Sequence, residues 1–204
     1  MKKVGIMGGT FNPIHIAHLI LAENAYEQFG LDEVIFMPSK RPAYKDLNDV
    51  IDEKYRQEMI ELAIAGNSHF RIDTMEFYRE GNTYTADTLL ELTDKNPDVE
   101  YYFIIGADSL FQLERWSRPE VVMALSHIVA AKRNDEDDED VVAKIKDLKE
   151  KYNATIDLLK IPQMDISSSM IREKRQQDKS VRYYVPMEVE QYMKENHLYE
   201  NTDV

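Results

Sequence analysis

Short apolar runs and longer amphipathic segments alternate along the whole chain. The short runs are rich in β-branched and aromatic residues, which favours strands, whereas the longer segments repeat apolar residues at helical spacing. The predicted strands are Lys3–Met7, Glu33–Pro38, Phe70–Phe77, Glu100–Ile105, His127–Ala131 and Thr155–Ile161. The predicted helices are Ala17–Phe29, Asp52–Ala65, Ala86–Lys95, Glu120–Ala124, Asp140–Tyr152, Ser168–Gln176 and Met187–Asn196.

This alternation predicts an α/β fold, a Rossmann-like doubly wound parallel sheet with helices on both faces. We expect a single domain over residues 1–204, whose last part, about 163–199, is mainly helical. In such sheets a ligand binds beyond the carboxyl ends of the strands, at the point where the strand order reverses. The residues that directly follow a strand are therefore the first candidates for chemistry.

The composition narrows the class of protein. The chain has 25 Lys and Arg against 38 Asp and Glu, a formal net charge of −13, which argues against broad binding to nucleic acid or anionic membranes. It contains no cysteine, which excludes disulfides, thiolate metal sites and a cysteine nucleophile. No apolar run approaches the roughly 20 residues of a membrane span. We therefore expect a soluble, cytoplasmic protein.

Six consecutive acidic residues, Asp135–Asp140, supply a large share of the negative charge. A run of this kind is typical of a solvated loop, and we favour that interpretation over a metal-binding segment. With the run set aside, an anionic substrate is compatible with the sequence wherever positive groups cluster locally.

The segment after the first predicted strand combines glycine and histidine. Gly8 and Gly9 allow close backbone approach and unusual φ/ψ values, so that main-chain N–H groups can face an anion. The following helix start adds free N–H groups and partial positive charge. His15 and His18 are three residues apart and share one face of that first turn. Packing or capping by the histidines, and a metal pair without an evident third ligand, stay open as alternatives.

A second polar segment, Ile166–Arg172, follows the last predicted strand. It holds the hydroxyls of Ser167, Ser168 and Ser169, with Arg172 one turn into the next helix. Hydroxyls and free amides donate hydrogen bonds, and a guanidinium pairs with phosphate oxygens, which suits a triphosphate. Helix capping would explain Ser167 or Ser168 alone.

Together the two segments resemble the paired motifs of the nucleotidylyltransferase superfamily, x-P-x-H-x-G-H and I-S-S-T-x-I-R. The middle of the chain is similar to the bacterial nicotinate-nucleotide adenylyltransferases, and this resemblance extends from Val4 to about Tyr199. It depends on Pro38–Lys45, Thr83–Leu89, Ile105–Leu110 and Trp116. The chain departs from the family pattern at Asn12, Ala17, Ser169 and Ala43–Tyr44, where Asp, Gly, Thr and Pro-His are usual.

The resemblance implies a role for each of these positions. The residues that contact the reacting phosphates, and so are catalytic, would be His15, His18 and Arg172. The ATP-binding residues would be Gly8, Gly9, Thr10, Phe11, Gly106, Asp108, Arg133, Ser167 and Ser168. For nicotinate mononucleotide, Lys45 would meet the phosphate, Thr85 the pyridine carboxylate, and Trp116 would stack on the ring.

Ordinary structural explanations exist for several of these residues. Thr85 or Asp108 could cap a helix, Trp116 could belong to the core, and Lys45 could be a solvated surface lysine. His69, His127 and His197 match no motif, and we assign them structural roles.

The implied reaction is transfer of the adenylyl group of ATP to nicotinate mononucleotide in NAD biosynthesis, with release of pyrophosphate. The alternatives are a pantetheine-phosphate adenylyltransferase, or a non-catalytic nucleotide-binding regulator of the same fold. Mg²⁺ is expected with the ATP phosphates rather than in a protein cage. No nucleic acid or membrane partner is expected, and a homodimer is suggested by the resemblance alone.

Overall fold

The computed structural model describes residues 1–41, 50–131, 138–162 and 164–201. Its strands are β1 Lys2–Gly9, β2 Glu33–Pro38, β3 Phe70–Ile72, β4 Val99–Gly106, β5 His127–Ala131 and β6 Ile156–Leu159. Its α-helices are α1 Ile16–Phe29, α2 Glu53–Ile64, α3 Thr85–Lys95, α4 Ala107–Gln112, α5 Pro119–Leu125, α6 Asp138–Tyr152, α7 Ser168–Gln176 and α8 Met187–Glu195. Two 3₁₀ segments, Met75–Tyr78 and Leu113–Arg115, connect them.

The six strands form one parallel sheet in the order β3-β2-β1-β4-β5-β6. Strand β1 lies in the middle, with Val4 opposite Glu33 of β2 and Lys2 opposite Val99 of β4. The chain leaves β1 toward one side for β2 and β3, and later returns to the other side for β4. The order therefore reverses between β1 and β4, and the predicted doubly wound fold is confirmed.

Each face of the sheet is covered by helices, because alternate side chains of a strand point to opposite faces. Met7 of β1 joins the core layer that contains α1, α2, α7 and α8, whereas Val4 and Ile6 join the layer beneath α3, α5 and α6. The buried Val189 and Met193 of α8 belong to the same layer as Met7. The C-terminal helices thus complete the face that α1 and α2 begin.

The predicted strand Phe70–Phe77 is wrong in its second half, since β3 ends at Ile72. The N–H of Asp73 donates to the carbonyl of Phe36, and its carboxylate then accepts from the N–H of Met75 at 3.0 Å. This side-chain turn at Asp73 competes with further strand pairing and starts the 3₁₀ segment. Helix α4, directly after β4, was not among the predicted helices.

The acidic run is not entirely a loop. Helix α6 begins at Asp138, and Glu139 and Asp140 are exposed in its first turn. Acidic residues are favoured there because the helix dipole is positive at its N-terminus. Asp135, Glu136 and Asp137 lie outside the described residues. Within the described ranges, no helix is long and apolar enough to cross a membrane.

Candidate active site

A cavity of about 830 Å³ opens at the carboxyl ends of β1 and β4, where the strand order reverses. Of the residues predicted for the site, eleven line it: Gly8, Gly9, Thr10, Phe11, His15, His18, Thr85, Gly106, Asp108, Trp116 and Ser168. The sheet topology therefore brings together segments that are as much as 160 residues apart in sequence.

The loop from β1 to α1 forms one wall of the cavity. Gly8 and Gly9 are the last residues of β1 and have ordinary φ values, so the expectation of unusual backbone angles there is wrong. What they provide is space: a Cβ on Gly9 would lie 3.2 Å from the ring of Phe11. The left-handed conformation occurs instead at Phe11, with φ 49°, where the chain turns away from the strand.

The two histidines lie at the start of α1. His15 is the N-cap residue, and His18 is the third residue of the helix. Their rings are stacked with centroids 3.7 Å apart, and the ring of Phe11 contacts His18 edge-on. The N–H of His15 donates to Nδ1 of His18 at 3.2 Å. Because Nδ1 accepts this bond, the proton of a neutral His18 belongs on Nε2.

These histidines therefore perform the capping role left open by the sequence, and they also line the cavity. The metal-pair alternative receives no support, because no group of three or more His, Asp or Glu side chains suited to a metal occurs in the described part of the chain.

Two side chains of helix α7 form hydrogen bonds with the loop after β1. Ser168 Oγ donates to the carbonyl of Pro13 at 2.8 Å, and Arg172 Nη1 donates to the carbonyl of Asn12 at 2.9 Å. Ser167 is the N-cap of α7 and accepts from the N–H of Met170. The second polar segment thus contacts the first directly. Ser167 and Arg172 themselves are not part of the cavity wall.

Asn12 connects this loop to the end of the chain. Its Oδ1 accepts a 2.8 Å bond from the hydroxyl of Tyr199 and a longer bond from the N–H of Ile51. Burial raises the pKa of Tyr199 above its ordinary value, so the phenol keeps the proton that it donates. Residues near both ends of the described chain therefore fix the same turn of the loop.

The opposite wall comes from α3, β4 and the segment after α4. Thr85 is the first residue of α3, after the N-cap Tyr84, so its main-chain N–H lies in the turn that lacks helical partners. Trp116 is half-buried and packs edge-on against Phe103 with centroids 6.0 Å apart. It therefore has one side in the core and another toward the cavity. A Cβ on Gly106 would meet no protein atom within 4 Å.

The comparisons with known proteins agree with this geometry. The cytidylyltransferase-like family model matches residues 6–174. The chain is 61% identical to a probable nicotinate-nucleotide adenylyltransferase of Lachnoclostridium phytofermentans, over 98% of this chain and 100% of that protein. It belongs to the nicotinate-nucleotide adenylyltransferases, within the cytidylyltransferase-like family.

A second relative with the same name, from Streptococcus pyogenes, is 39% identical over 98% of this chain and 89% of its own length. Among solved structures, Plasmodium falciparum nicotinic acid mononucleotide adenylyltransferase complexed with NaAD matches with a TM-score of 0.81. That likeness covers 98% of both chains at 21% identity and supports the fold.

Lys45 and Arg133, which were predicted for the site, lie outside the described residues. So does Ala43–Tyr44, where the sequence departs from the family pattern. Asp108 is the second residue of α4, while Gly106 takes the N-cap position. Asp108 is therefore not the N-cap residue itself but lies in the first turn of α4, and it lines the cavity.

Sequence reasoning missed two buried charged residues at the site. Glu76 lines the cavity, accepts a 2.6 Å bond from the hydroxyl of Thr88, and has its pKa raised by burial. Thr88 accepts in turn from Arg79. This network holds the 3₁₀ segment against the first turns of α3, next to Thr85.

The second missed residue is Arg56 of α2, which is 1% exposed. The signal for it was present, because Arg56 occupies the buried stripe of α2 with Met59, Ile60 and Ile64. An arginine at an apolar position of an amphipathic helix indicates a buried polar contact.

Proposed function

We propose that this protein transfers the adenylyl group of ATP to nicotinate mononucleotide, giving nicotinate adenine dinucleotide and pyrophosphate. The observation that carries the proposal is one cavity that unites the two family motif segments with Thr85 and Trp116. The names of its relatives at 61% and 39% identity support the choice of acceptor. NaAD, bound to the Plasmodium protein of the same fold, is the product of this reaction.

The chemistry requires positioning more than it requires a base. The attacking phosphate oxygen of the mononucleotide is already anionic, so nothing must remove a proton from it, and no covalent intermediate is needed. The obstacle is the meeting of two anions while charge develops on the α-phosphate. Preorganised donors in a site of low dielectric constant lower such barriers by several kcal/mol.

His18 is our choice for the donor to the α-phosphate. With Nδ1 occupied by the N–H of His15, a neutral ring presents Nε2–H, which can donate to a phosphate oxygen without any change of protonation. The contact with His15 favours the neutral tautomer, because a protonated Nδ1 could not accept that bond.

The other site residues are assigned to parts of the substrates according to the wall of the cavity to which they belong. We assign the triphosphate to the amides after β1 and to Ser168, which line the cavity, and Arg172, which donates to the Asn12 carbonyl, adds positive charge nearby. Thr85 at the start of α3 receives the pyridine carboxylate, and Trp116 stacks on the ring. Lys45 and Arg133 keep their predicted roles toward the acceptor phosphate and the adenine.

Mg²⁺ fits this arrangement as an ion carried by the nucleotide. When bound, it neutralises part of the triphosphate charge. Asp108 is the acidic residue among the predicted ATP-binding residues, and the described chain offers no three-ligand cluster around it. We therefore propose that phosphate oxygens and water supply most of the ligands.

The decisive experiment follows pyrophosphate release from ATP and Mg²⁺ with a panel of acceptors. We expect turnover with nicotinate mononucleotide, slower turnover with nicotinamide mononucleotide, and none above background with phosphopantetheine. Turnover with phosphopantetheine alone would assign the other adenylyltransferase activity, and binding of ATP without turnover on any acceptor would indicate a regulator.

A further inference from the structure

Arg56 makes its polar contacts with main-chain carbonyls of three segments. Its Nη1 donates to the carbonyls of Thr10 and Ser39, each at 2.8 Å, and its Nε donates to the carbonyl of Ile51 at 3.2 Å. The guanidinium also lies 5.3 Å from the centre of the Phe77 ring. One side chain thus joins the end of β1, the end of β2 and the approach to α2.

Within the described residues, the guanidinium of Arg56 forms no salt bridge with a carboxylate. Burial lowers the pKa of Arg56 from its ordinary value, yet an arginine stays protonated at neutral pH. Its partners are neutral carbonyls and an aromatic ring, and no carboxylate among the described residues forms a salt bridge with it. Glu53 and Asp52 favour the charge of Arg56 electrostatically without a direct contact, and an anion bound at the Thr10–Phe11 peptide would add to their effect.

The bond to Thr10 also determines the orientation of a peptide group. In a planar trans peptide the C=O and the N–H point in opposite directions. The Thr10 carbonyl points back to Arg56, so the N–H of Phe11 in the same peptide points away from Arg56. Both Thr10 and Phe11 line the cavity whereas Arg56 does not, so we infer that the side of the peptide opposite Arg56 is the cavity side.

The preceding peptide is held in the same manner. The carbonyl of Gly9 accepts from the N–H of Ser39 at 2.9 Å, which directs the N–H of Thr10 away from β2. Ser39 is itself bound through its carbonyl to Arg56. Two successive N–H groups beside a left-handed residue, here Phe11, form the backbone arrangement that binds anions.

We propose that Arg56 is a positioning residue of the phosphate site, which holds the Thr10–Phe11 peptide with its N–H toward the bound phosphates and places a positive charge behind it. A guanidinium on the carbonyl also polarises the peptide and strengthens the N–H as a donor. The inference rests on the proposed function, since it assigns the anion to the ATP phosphates.

The first test compares Arg56→Lys with Ile64→Ala by calorimetric binding of ATP and of adenosine, without acceptor. Lysine keeps the charge, but its single nitrogen cannot occupy the Nη1 position, which bonds Thr10 and Ser39, and the Nε position, which bonds Ile51, at the same time. We expect the ATP dissociation constant to rise at least about tenfold, adenosine affinity to stay within about twofold, and kcat/KM for ATP to fall in parallel with ATP affinity.

Ile64→Ala is the matched control, because Ile64 is buried on the same helix, at its last residue and about two turns after Arg56. It should lower the melting temperature and leave ATP binding nearly unchanged. Equal ATP affinity in the two variants, or a parallel loss of ATP and adenosine affinity in Arg56→Lys, would overturn the proposal.

The second test needs no variant and can refute the proposal even if Arg56→Lys fails to fold. Inorganic pyrophosphate is added to the unmodified, ¹⁵N-labelled protein, and the amide resonances are followed. We expect the Phe11 and Thr10 amide protons to move downfield, as they do on binding an anion. Unmoved Phe11 and Thr10 resonances at saturation would refute the inference.

Failure of the inference differs from failure of the proposed function. If the unmodified protein releases no pyrophosphate from ATP and nicotinate mononucleotide, the function is wrong. If it does, and Arg56→Lys binds ATP as tightly as Ile64→Ala, only the role of Arg56 is wrong.

Discussion

Charged side chains beside the amino ends of the strands and those around the loop after β1 have different kinds of partner. At the amino edge, Lys2 and Arg71 form ion pairs with Glu33, and the ring of His127 contacts the carboxylate of Asp157. At the carboxyl edge, Arg56 and Arg172 donate to the carbonyls of Thr10, Ser39 and Asn12.

This difference explains how a protein of net charge −13 can attract a triphosphate. The electric field of a paired charge is largely cancelled by its partner within the protein. A cation that donates to a neutral carbonyl keeps more of its electric field. The amino edge should therefore contribute to stability and the carboxyl edge to binding and catalysis. The following predictions test this division, beginning with the largest effect.

Removal of the His18 ring should be the most damaging change. His18→Ala should lower kcat by about 10²-fold or more, because the Nε2–H donor to the α-phosphate is lost. The matched change at the amino edge, His127→Ala, should lower the melting temperature and keep kcat. Steady-state pyrophosphate release with circular dichroism as the folding check decides this, and unaltered turnover in a folded His18→Ala protein argues against the mechanism.

Arg172→Met should have the next largest effect. We expect kcat/KM for ATP to fall about 10- to 100-fold, because the positive charge behind the Asn12 carbonyl and its bond are both lost. Arg71→Met, which removes a paired arginine near the amino edge, should stay within about twofold. Similar losses in the two variants would contradict the division between the edges.

The acceptor side should discriminate between a carboxylate and a carboxamide. The carboxylate accepts hydrogen bonds from the donors at the start of α3, whereas the amide NH₂ leaves some of these donors unpaired. Each unpaired donor costs about 1–3 kcal/mol of binding free energy. We expect a preference for nicotinate mononucleotide of roughly 10- to 150-fold. Thr85→Ala should narrow this gap and Trp116→Ala should weaken both acceptors alike, as judged from kcat/KM.

Glu114 is a paired charge near the carboxyl edge, so it should behave like those of the amino edge. Hydrogen bonds from Lys144 and Lys151 lower the pKa of its carboxyl to about 2 from an ordinary 4.5. A lowered carboxyl pKa stabilises the fold above pH 4.5, and the contribution declines as the pH falls toward 2.

Glu114→Gln should therefore cost about 1 kcal/mol or less at neutral pH, since the ion pairs are partly exposed. Its melting temperature should approach that of the unmodified protein as the pH is lowered from 5 toward about 3. A difference that is constant across this range, or a large loss of kcat, would show that Glu114 acts differently.

The smallest effect is expected from the acidic run Asp135–Asp140. Neutralising all six residues should leave kcat/KM within a few-fold, because exposed charges are screened beyond about 10 Å. Titration of the rate with Mg²⁺ provides the check. A changed Mg²⁺ requirement in this variant would assign an ion to the run.

The sequence predicted much of the architecture because local patterns determined it. Glu33–Pro38 and His127–Ala131 are strands with the predicted bounds, and Ser168–Gln176 is a helix with the predicted bounds. Gly30 ends α1 in the left-handed conformation, as its position after the apolar segment indicated. The prediction of a strand beyond Ile72 was wrong because the chain forms a turn with the Asp73 side chain, although the residues that follow are of types common in strands.

For the site, the sequence by itself determined which residue types are present: the two histidines, the serines of α7, and Thr85 and Trp116 as candidates for the acceptor. A short motif can be recognised from neighbouring residues alone, and the resemblance to a family assigns a role to each of its residues. What the tertiary structure decided is how these groups are held. Arg56, Asn12 and Tyr199 come from distant parts of the chain and meet only because the sheet order reverses beside β1. No periodicity can report a hydrogen bond between residues 187 positions apart, since such a contact arises from packing of the whole fold.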